Sequence, residues 1–149
     1  MKPGLRLACS DDRDAVIALV REYHAFDDVP FEEAQTASAI APLLDHDDSG
    51  RIWLIEIDGE TVGYVALCLG YSIEFGGRDA FVDEMYLVPE WRCKGIGKAV
   101  LLELPDRARE LGARALHLEV DRGNGHARRL YSASGFESRE RFHLMSLIL

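Results

Sequence analysis

The sequence lacks the features that define several large classes of protein. Its 149 residues contain only three cysteines, in no CxxC pair, so neither a disulfide framework nor a zinc site is expected. No apolar run is long enough to cross a bilayer, and the first residues do not resemble a signal peptide. The five histidines show no HxxxH or HExxH spacing, so no metal is predicted. We therefore expect a cytoplasmic protein that folds around its own core without a membrane partner.

Basic residues are scarce in the first part of the chain. Residues 1–91 hold 6 Lys and Arg against 19 Asp and Glu, whereas residues 92–149 hold 11 against 7. Between Glu22 and Gly77 the only basic residue is Arg51. The split predicts two ligands, a cation near the N-terminal half and an anion near the C-terminal half. A nucleic acid is not expected as a partner, because its phosphates would meet an acidic face.

The pattern of apolar residues predicts elements in the order β-α-α-β-β-β-α-β-α-β. Strands are predicted at 5–9, 51–57, 61–71, 81–88, 115–120 and 142–149, and helices at 11–25, 31–44, 95–111 and 125–134. Asp58-Gly59 is a strong hairpin signal, so the three middle strands form an antiparallel meander. The crossover from Phe81 to Val120 should make its two strands parallel. Pro105 is expected to kink or split the third helix.

These elements predict the fold class. We expect one α/β (α+β) domain, residues 1–149, with a mixed, mostly antiparallel central sheet of six to seven strands and helices on both faces.

A glycine-rich turn joins a predicted strand to the helix that follows it. The strand at 81–88 is followed by Arg92-x-x-Gly95-x-Gly97, and helical spacing begins at Gly95. At such a helix start several backbone N–H groups are unpaired, and the helix dipole adds positive potential. The turn is therefore a candidate cradle for a phosphate group. Its spacing matches neither a P-loop nor a dinucleotide fingerprint.

A second motif follows the next predicted strand. It reads Asn124-x-x-Ala127-x-x-Leu130-Tyr131-x-x-x-Gly135-Phe136. On a helix Asn124, Arg128 and Tyr131 share one face. Core packing explains Leu130, and a helix cap explains Gly135, but neither explains Asn124 or Tyr131 well.

The two motifs together resemble those of a known family. A strand ending Leu87-Val88-Pro89, the glycine turn, and then Asn124 and Tyr131 are similar to the GNAT superfamily of acetyl-CoA-dependent N-acetyltransferases. The resemblance implies a GNAT-like fold with acetyl-CoA as the cosubstrate. It also implies that the strands at 81–88 and 115–120 splay apart, and that the thioester enters the gap.

The resemblance further implies residue roles. The strand edge would bind the pantetheine arm, the turn would bind the pyrophosphate, and Tyr131 would protonate the departing thiolate. The implied cofactor-binding residues are Tyr86, Leu87, Val88, Arg92, Cys93, Lys94, Gly95, Ile96, Gly97, Lys98, Asn124, Ala127 and Tyr131. Cys93 departs from the family pattern, which often has glycine or arginine there. It still supplies a backbone N–H, so no loss of binding is expected.

Two adjacent carboxylates are the candidates for the base that takes a proton from the incoming ammonium. These are Asp83 and Glu84. Adjacent residues of a strand point to opposite faces, so at most one should face the acceptor by direct projection. Spacing does not decide between them, and we favour Glu84. Glu119, on the next strand, is a third candidate.

The expected function is transfer of an acetyl group from acetyl-CoA to a primary amine by direct attack, with Tyr131 as general acid. The acidic N-terminal half favours a small cationic amine, such as a polyamine, an aminoglycoside or an amino-acid-like amine. The alternatives are a protein or peptide N-acetyltransferase and a non-catalytic acyl-CoA-binding regulatory module. GNAT proteins are often homodimers, and the apolar last strand, 144–149, is suited to pairing across a two-fold axis.

Overall fold

The computed structural model describes residues 2–149, and its five strands form a single sheet. The strands are β1 (Gly4–Leu7), β2 (Gly50–Ile57), β3 (Glu60–Ser72), β4 (Gly77–Leu87) and β5 (Leu116–Leu118). They lie in the order β1-β2-β3-β4-β5, and all neighbours are antiparallel except β4 and β5, which are parallel. The predicted meander, parallel crossover and mixed sheet are thus confirmed.

Four α-helices accompany the sheet in the described part of the chain. They are α1 (Arg13–Phe26), α2 (Glu33–Leu44), α3 (Ile96–Glu110) and α4 (Gly125–Ala133), with short 3-10 turns at Ser10–Asp12 and Pro89–Trp91. α3 continues through Pro105, so the predicted split is wrong. Proline removes one backbone hydrogen bond, while Leu101, Leu104 and Ala108 stay buried on both sides of it and hold the helix together. Within residues 2–149 no helix is long and apolar enough to span a membrane.

The predicted last strand is wrong, and the sheet has five strands rather than six to seven. Residues 142–149 have no strand conformation. The exposed apolar residues of this segment are Phe142, Leu144, Met145, Leu147, Ile148 and Leu149. Their apolar pattern is typical of a strand, but a strand also needs a neighbour for its backbone hydrogen bonds. Here the N–H of Phe142 bonds to the carbonyl oxygen of Arg139 in a local turn.

The chain divides into two compact units, Met1–Glu119 and Val120–Leu149. The first unit holds the sheet and the helices α1, α2 and α3, and the second holds α4. α4 ends just before Gly135, whose φ of 95° is the left-handed conformation expected after a helix.

Apolar side chains of β2 and β3 alternate between two buried faces of the sheet. Ile52 and Leu54 belong to a core cluster with residues of α1 and α2. Trp53 and Ile55 point the other way and are also buried. The buried side of α3 consists of Ile96, Val100, Leu101, Leu104 and Ala108. The sheet is therefore covered on both faces, α1 and α2 on one and α3 on the other.

Candidate active site

The glycine turn leaves the N-terminus of α3 open. Cys93 and Gly95 have φ values of 57° and 80°, both in the left-handed region, and Gly95 is the N-cap. No side chain caps this helix start. The backbone N–H groups of Ile96, Gly97 and Lys98, in the first turn, therefore have no partner within the helix. A Cβ built on Gly95 meets no atom within 4 Å, so the space beside these N–H groups is open to an anion.

Arg92, which begins this turn, contacts the protein itself. Its Nε donates a hydrogen bond to the carbonyl oxygen of Leu87 at 2.8 Å. The guanidinium group lies 4.4 Å from the ring centroid of Phe26 and 5.3 Å from that of Tyr86. These contacts fix the turn against the end of β4 and the end of α1. The predicted role of Arg92 in cofactor binding stays a prediction.

β4 and β5 separate after three paired residues. The pairs are Ala80 with Leu116, Phe81 with His117 and Val82 with Leu118. β5 then ends, whereas β4 continues to Leu87. From Asp83 onward, one edge of β4 has no neighbouring strand among the described residues, which is the separation expected from the sequence. Such an edge can accept an extended ligand arm as if it were another strand.

A β-bulge changes the direction of the two candidate bases. Ala66 of β3 pairs with Glu84, but the next residue, Leu67, pairs with Val82. Asp83 is therefore an extra residue on β4, opposite no residue of β3. A bulge of this kind re-aims side chains, and both Asp83 and Glu84 line the same cavity. The expectation that at most one of them faces this side is wrong, because it assumed a regular strand.

The cavity has a volume of about 400 Å³ and lies between the sheet and the pair α1 and α2. This volume is within the range typical of small-ligand sites. Its apolar walls come from Val20, Pro30, Ala39, Ile40, Leu43, Ile52 and Ala66. Its acidic residues are Glu32, Asp83 and Glu84, and its described lining contains no Lys or Arg. The arrangement suits a cation with an apolar body.

Two neighbours hold the Glu84 carboxylate in place. The hydroxyl of Tyr64 donates to its Oε1 at 2.9 Å, and the Nε2 of His24 lies 2.6 Å from its Oε2. Because an ionised carboxylate only accepts hydrogen bonds, His24 must carry the hydrogen on Nε2. Burial, followed by the charge of Glu84, raises the pKa of Tyr64, so this hydroxyl keeps its proton and stays a donor.

The buried position of the His24 ring has a cost in folding free energy. Its Nδ1 is buried and has no hydrogen-bond partner within residues 2–149. An unsatisfied buried polar atom costs on the order of 1–3 kcal/mol. The bond from Nε2 to the charged Glu84 contributes on the order of 1.5–3 kcal/mol and offsets that cost.

Asp83 differs from Glu84 in its surroundings. It makes no hydrogen bond with its side chain in the described part of the chain. The surrounding protein atoms bury part of the Asp83 side chain, although the residue keeps an exposed surface. This burial raises its pKa above the ordinary aspartate value. The charges of Glu84 and Glu119 raise that pKa further, and His24 opposes them. The surroundings of Asp83 thus favour its protonated form more than those of an ordinary aspartate do.

The cavity also contains a thiol that is poorly suited to nucleophilic attack. Burial, and then the charges of Asp83 and Glu84, raise the pKa of Cys68 to about 11. At neutral pH the group is a thiol rather than the reactive thiolate. Nothing at this position favours a covalent enzyme intermediate.

The second unit carries the other predicted site residues on α4. Asn124 is the N-cap of this helix, and its Oδ1 accepts the N–H of Ala127 at 3.1 Å. Tyr131 lies two turns further along, with its ring edge-on to Phe136 at a centroid distance of 6.2 Å. Burial raises the pKa of Tyr131, so its hydroxyl stays protonated at neutral pH and can serve as an acid.

Sequence reasoning missed Tyr64, Cys68 and the contact of His24 with Glu84. His24 and Tyr64 are separated from Glu84 by 60 and 20 residues. Alternation along β3 places Tyr64, Ala66 and Cys68 on one face. This is the only local signal for Tyr64 and Cys68, and it gives none for His24. The pairing of β3 with β4, with Ala66 opposite Glu84, is what brings this face to the carboxylate.

The chain belongs to the GNAT acetyltransferase family. The family model described as Acetyltransferase (GNAT) family matches residues 14–136, which include parts of both units. The protein is therefore an acetyl-CoA-dependent N-acetyltransferase. Acetyl-CoA also fits the geometry: the open turn at Gly95 offers unpaired N–H groups to a pyrophosphate, and the free edge of β4 offers hydrogen bonds to an extended arm.

Three similar proteins illustrate the family. The crystal structure of integron cassette protein HFX_CASS3, from the mobile metagenome of Cole Harbour Salt Marsh, is 34% identical, has a TM-score of 0.85, and covers 97% of this chain and 90% of its own. Aminoglycoside N(6')-acetyltransferase type 1 of Stenotrophomonas maltophilia is 30% identical over 118 residues, 76% of this chain and 72% of that protein. Aminoalkylphosphonate N-acetyltransferase of Salmonella typhimurium is 29% identical over 140 residues, 89% of this chain and 84% of that protein.

Proposed function

We propose that this N-acetyltransferase acts on a small cationic primary amine. The observation that carries the proposal is the cavity of about 400 Å³, where a bulge brings Asp83 and Glu84 together and no Lys or Arg is among the described lining residues. An ammonium group is attracted to such a site, and an anion is repelled. One relative is named for an aminoglycoside acceptor, which is an amine and is consistent with the proposal.

The proposal treats residues 1–149 as one catalytic domain, because the family match includes parts of both units. The N–H groups of Cys93 to Lys98 hold the pyrophosphate, and the residues Tyr86 to Val88 hold the pantetheine arm. Asn124 and Ala127 of α4 stay predicted cofactor-binding residues. Cytoplasmic location and a homodimer stay predictions.

Asp83 takes the proton from the incoming ammonium. Its support is the absence of a side-chain hydrogen bond in the described chain and a pKa raised by burial. These properties favour it over Glu84, whose two oxygens already accept bonds from Tyr64 and His24. The amine nitrogen that results has a free lone pair for attack.

Acetyl-CoA supplies the acetyl group as a thioester, which the amine attacks directly. Tyr131 donates its hydroxyl proton to the departing sulfur, and burial keeps that hydroxyl protonated until then. Backbone N–H groups on the free edge of β4 stabilise the developing negative charge on oxygen. The high pKa of Cys68 supports direct attack without a covalent enzyme intermediate.

A panel of primary amines with acetyl-CoA tests the proposal, with the free thiol of CoA as the readout. We expect thiol release with cationic amines and no release without an acceptor. If no amine of the panel is acetylated while CoA still binds, the proposed function is rejected. In the same assay Tyr131→Phe should lower kcat by about 10²-fold with CoA affinity kept, as expected for loss of a general acid. An unchanged kcat would remove Tyr131 from its role.

A further inference from the structure

We infer that the acceptor amine carries a second positive charge and no anionic group, and that Glu84 binds the second charge. The inference rests on the proposed function and concerns the same cavity. It narrows the acceptor from small cationic amines in general to diamines and polyamines. Its basis is the unequal state of the two carboxylates that the bulge brings to the cavity.

The fixed charge around the cavity is negative. Glu32 is occupied elsewhere, since its two oxygens accept the N–H groups of Ala34 at 3.1 Å and Gln35 at 2.6 Å as the N-cap of α2. Asp83 and Glu84 have no cationic side chain of Lys or Arg beside them in the described lining. Apart from His24, whose Nε2 lies 2.6 Å from Glu84, the described lining offers these two carboxylates no basic partner, so the charge of the ligand must pair with them.

The reaction changes the charge of the two carboxylates differently. One N–H bond of the reacting ammonium breaks, and an O–H bond forms on Asp83. Asp83 and the amine nitrogen are then both neutral, while Glu84 keeps its charge. With a monoamine that charge has only its contacts with Tyr64 and His24 during attack, whereas with a diamine the second ammonium also pairs with it. As the amide forms, a second N–H bond of the attacking nitrogen breaks, and this proton replaces the one that Tyr131 gave to sulfur. Asp83 later releases its own proton to solvent.

Glu84 has the geometry to bind an ammonium group. Tyr64 and His24 each occupy one lone pair of a different oxygen, so each oxygen can accept one more hydrogen bond. The carboxylate is only about a quarter exposed, at 23% of its side-chain surface, and its position is fixed by both neighbours. A fixed, partly desolvated carboxylate binds an ammonium group more strongly than a mobile surface carboxylate does.

The same charges argue against acceptors that carry an anion. A carboxylate or phosphonate in the cavity meets Asp83 and Glu84 without a compensating Lys or Arg among the described lining residues. At about 5 Å and an effective dielectric constant of about 20, each like-charge pair weakens binding by on the order of a hundredfold. The acceptor would thus differ from that named for the Salmonella typhimurium relative, an aminoalkylphosphonate.

Acceptors of matched length test the inference on the full chain. We would compare kcat/KM at pH 7 for pentylamine, 1,5-diaminopentane, 5-aminopentanoate and 3-aminopropylphosphonate, each with saturating acetyl-CoA. The diamine should exceed pentylamine by about tenfold or more, and exceed both anionic amines by about a hundredfold or more. Equal values for pentylamine and the diamine, or a faster phosphonate, would overturn the inference and leave the proposed function standing. Transfer to none of the four would reject both.

Variants assign the effect to a residue. Glu84→Gln removes the charge but keeps the size, and it should lower the ratio of diamine to pentylamine towards one. Glu32→Gln is the matched comparison, because this glutamate also lines the cavity but is engaged in the α2 cap. It should lower the ratio less. The opposite ranking would show that Glu32, and not Glu84, binds the second ammonium group of the acceptor. If Glu84→Gln folds poorly, the acceptor series with the wild-type protein still tests the inference.

Discussion

The turn at 92–98 and the cavity beneath α1 and α2 offer two different kinds of recognition. The turn presents backbone N–H groups, whose direction follows from left-handed φ values at Cys93 and Gly95. The cavity presents carboxylates, whose direction follows from one extra residue in β4 and from the contacts of Glu84. A backbone site tolerates a side chain that keeps its φ and leaves the N–H groups accessible, whereas a side-chain site depends on single atoms. Substitutions in the two regions should therefore have different consequences.

The largest effect is expected from removing the proposed base. Asp83→Asn keeps the shape of the side chain but cannot accept the proton. We expect kcat to fall by about 10²–10⁴-fold, the usual contribution of a general base. CoA affinity, measured by calorimetry, should change by less than about twofold, because the change affects only the chemical step.

Asp79→Asn is the matched control for this change. Asp79 is on the same strand but lies next to His117, with Oδ2 at 3.3 Å from Nε2, and does not line the cavity. Its kcat should stay near that of the wild type. If the two variants lose activity equally, the defect belongs to the strand as a whole, and Asp83 is not the base.

A bulky residue in the turn should weaken CoA binding next most strongly. In Gly95→Val a β-branched side chain must adopt φ near 80° and fill the open space beside the N–H groups. We expect Kd for CoA to rise by about 10–100-fold, as one or two charge-assisted hydrogen bonds are lost. Turnover at saturating acetyl-CoA should fall much less.

Gly112→Val separates this effect from backbone strain. Gly112 lies just after the other end of α3, with a φ of 84° and nothing within 4 Å of an added Cβ. The two variants should lose similar melting temperature, but only Gly95→Val should lose CoA affinity. Equal losses of affinity would mean that strain, and not the occupied cradle, weakens binding.

The sequence predicted the turn better than the cavity, for a physical reason. Gly95 and Gly97 are local signals: a glycine pair between a strand and an amphipathic helix identifies a helix start with free N–H groups. The hairpin at Asp58-Gly59 is local in the same way, and its residues have φ values of 50° and 83°. Both features depend on residues that are neighbours in the chain.

The cavity depends on contacts that no local pattern contains. The bulge at Asp83 exists only relative to β3, so a regular strand was assumed and the two carboxylates were assigned to opposite faces. The contacts of Glu84 with His24 and Tyr64 join residues that are far apart in the sequence. The strand predicted at residues 142–149 is wrong for the opposite reason: the local pattern is typical of a strand, but the described structure has no neighbouring strand for it.

The pH dependence should respond to the neighbours of Asp83. This base acts only when ionised, so kcat/KM for pentylamine should rise as the pH increases through its pKa. Burial is the first cause that raises this pKa, Glu84 the second and Glu119 the third, while His24 lowers it. Glu84→Gln should therefore move the acid limb to lower pH, raising the relative rate at acidic pH by less than about tenfold.

Glu119→Gln is the comparison for this shift. It should move the acid limb in the same direction but by less, because its charge is the weaker of the two causes. Full pH–rate profiles of the wild type and both variants check the order. An acid limb that stays fixed in both variants would indicate that a group other than Asp83 accepts the proton.

The smallest effect is expected at Cys93, and it provides the sharpest contrast with the cavity. Its side chain is exposed, and the residue has a φ of 57°, which costs a non-glycine residue on the order of 1–2 kcal/mol. Cys93→Gly keeps the N–H and removes the strain, while the greater freedom of the unfolded chain offsets part of the gain. Kd for CoA should stay within about twofold of the wild-type value and the melting temperature should not fall. A loss of affinity as large as that of Gly95→Val would mean that the thiol itself contacts the cofactor, and that the turn, like the cavity, recognises its ligand through a side chain.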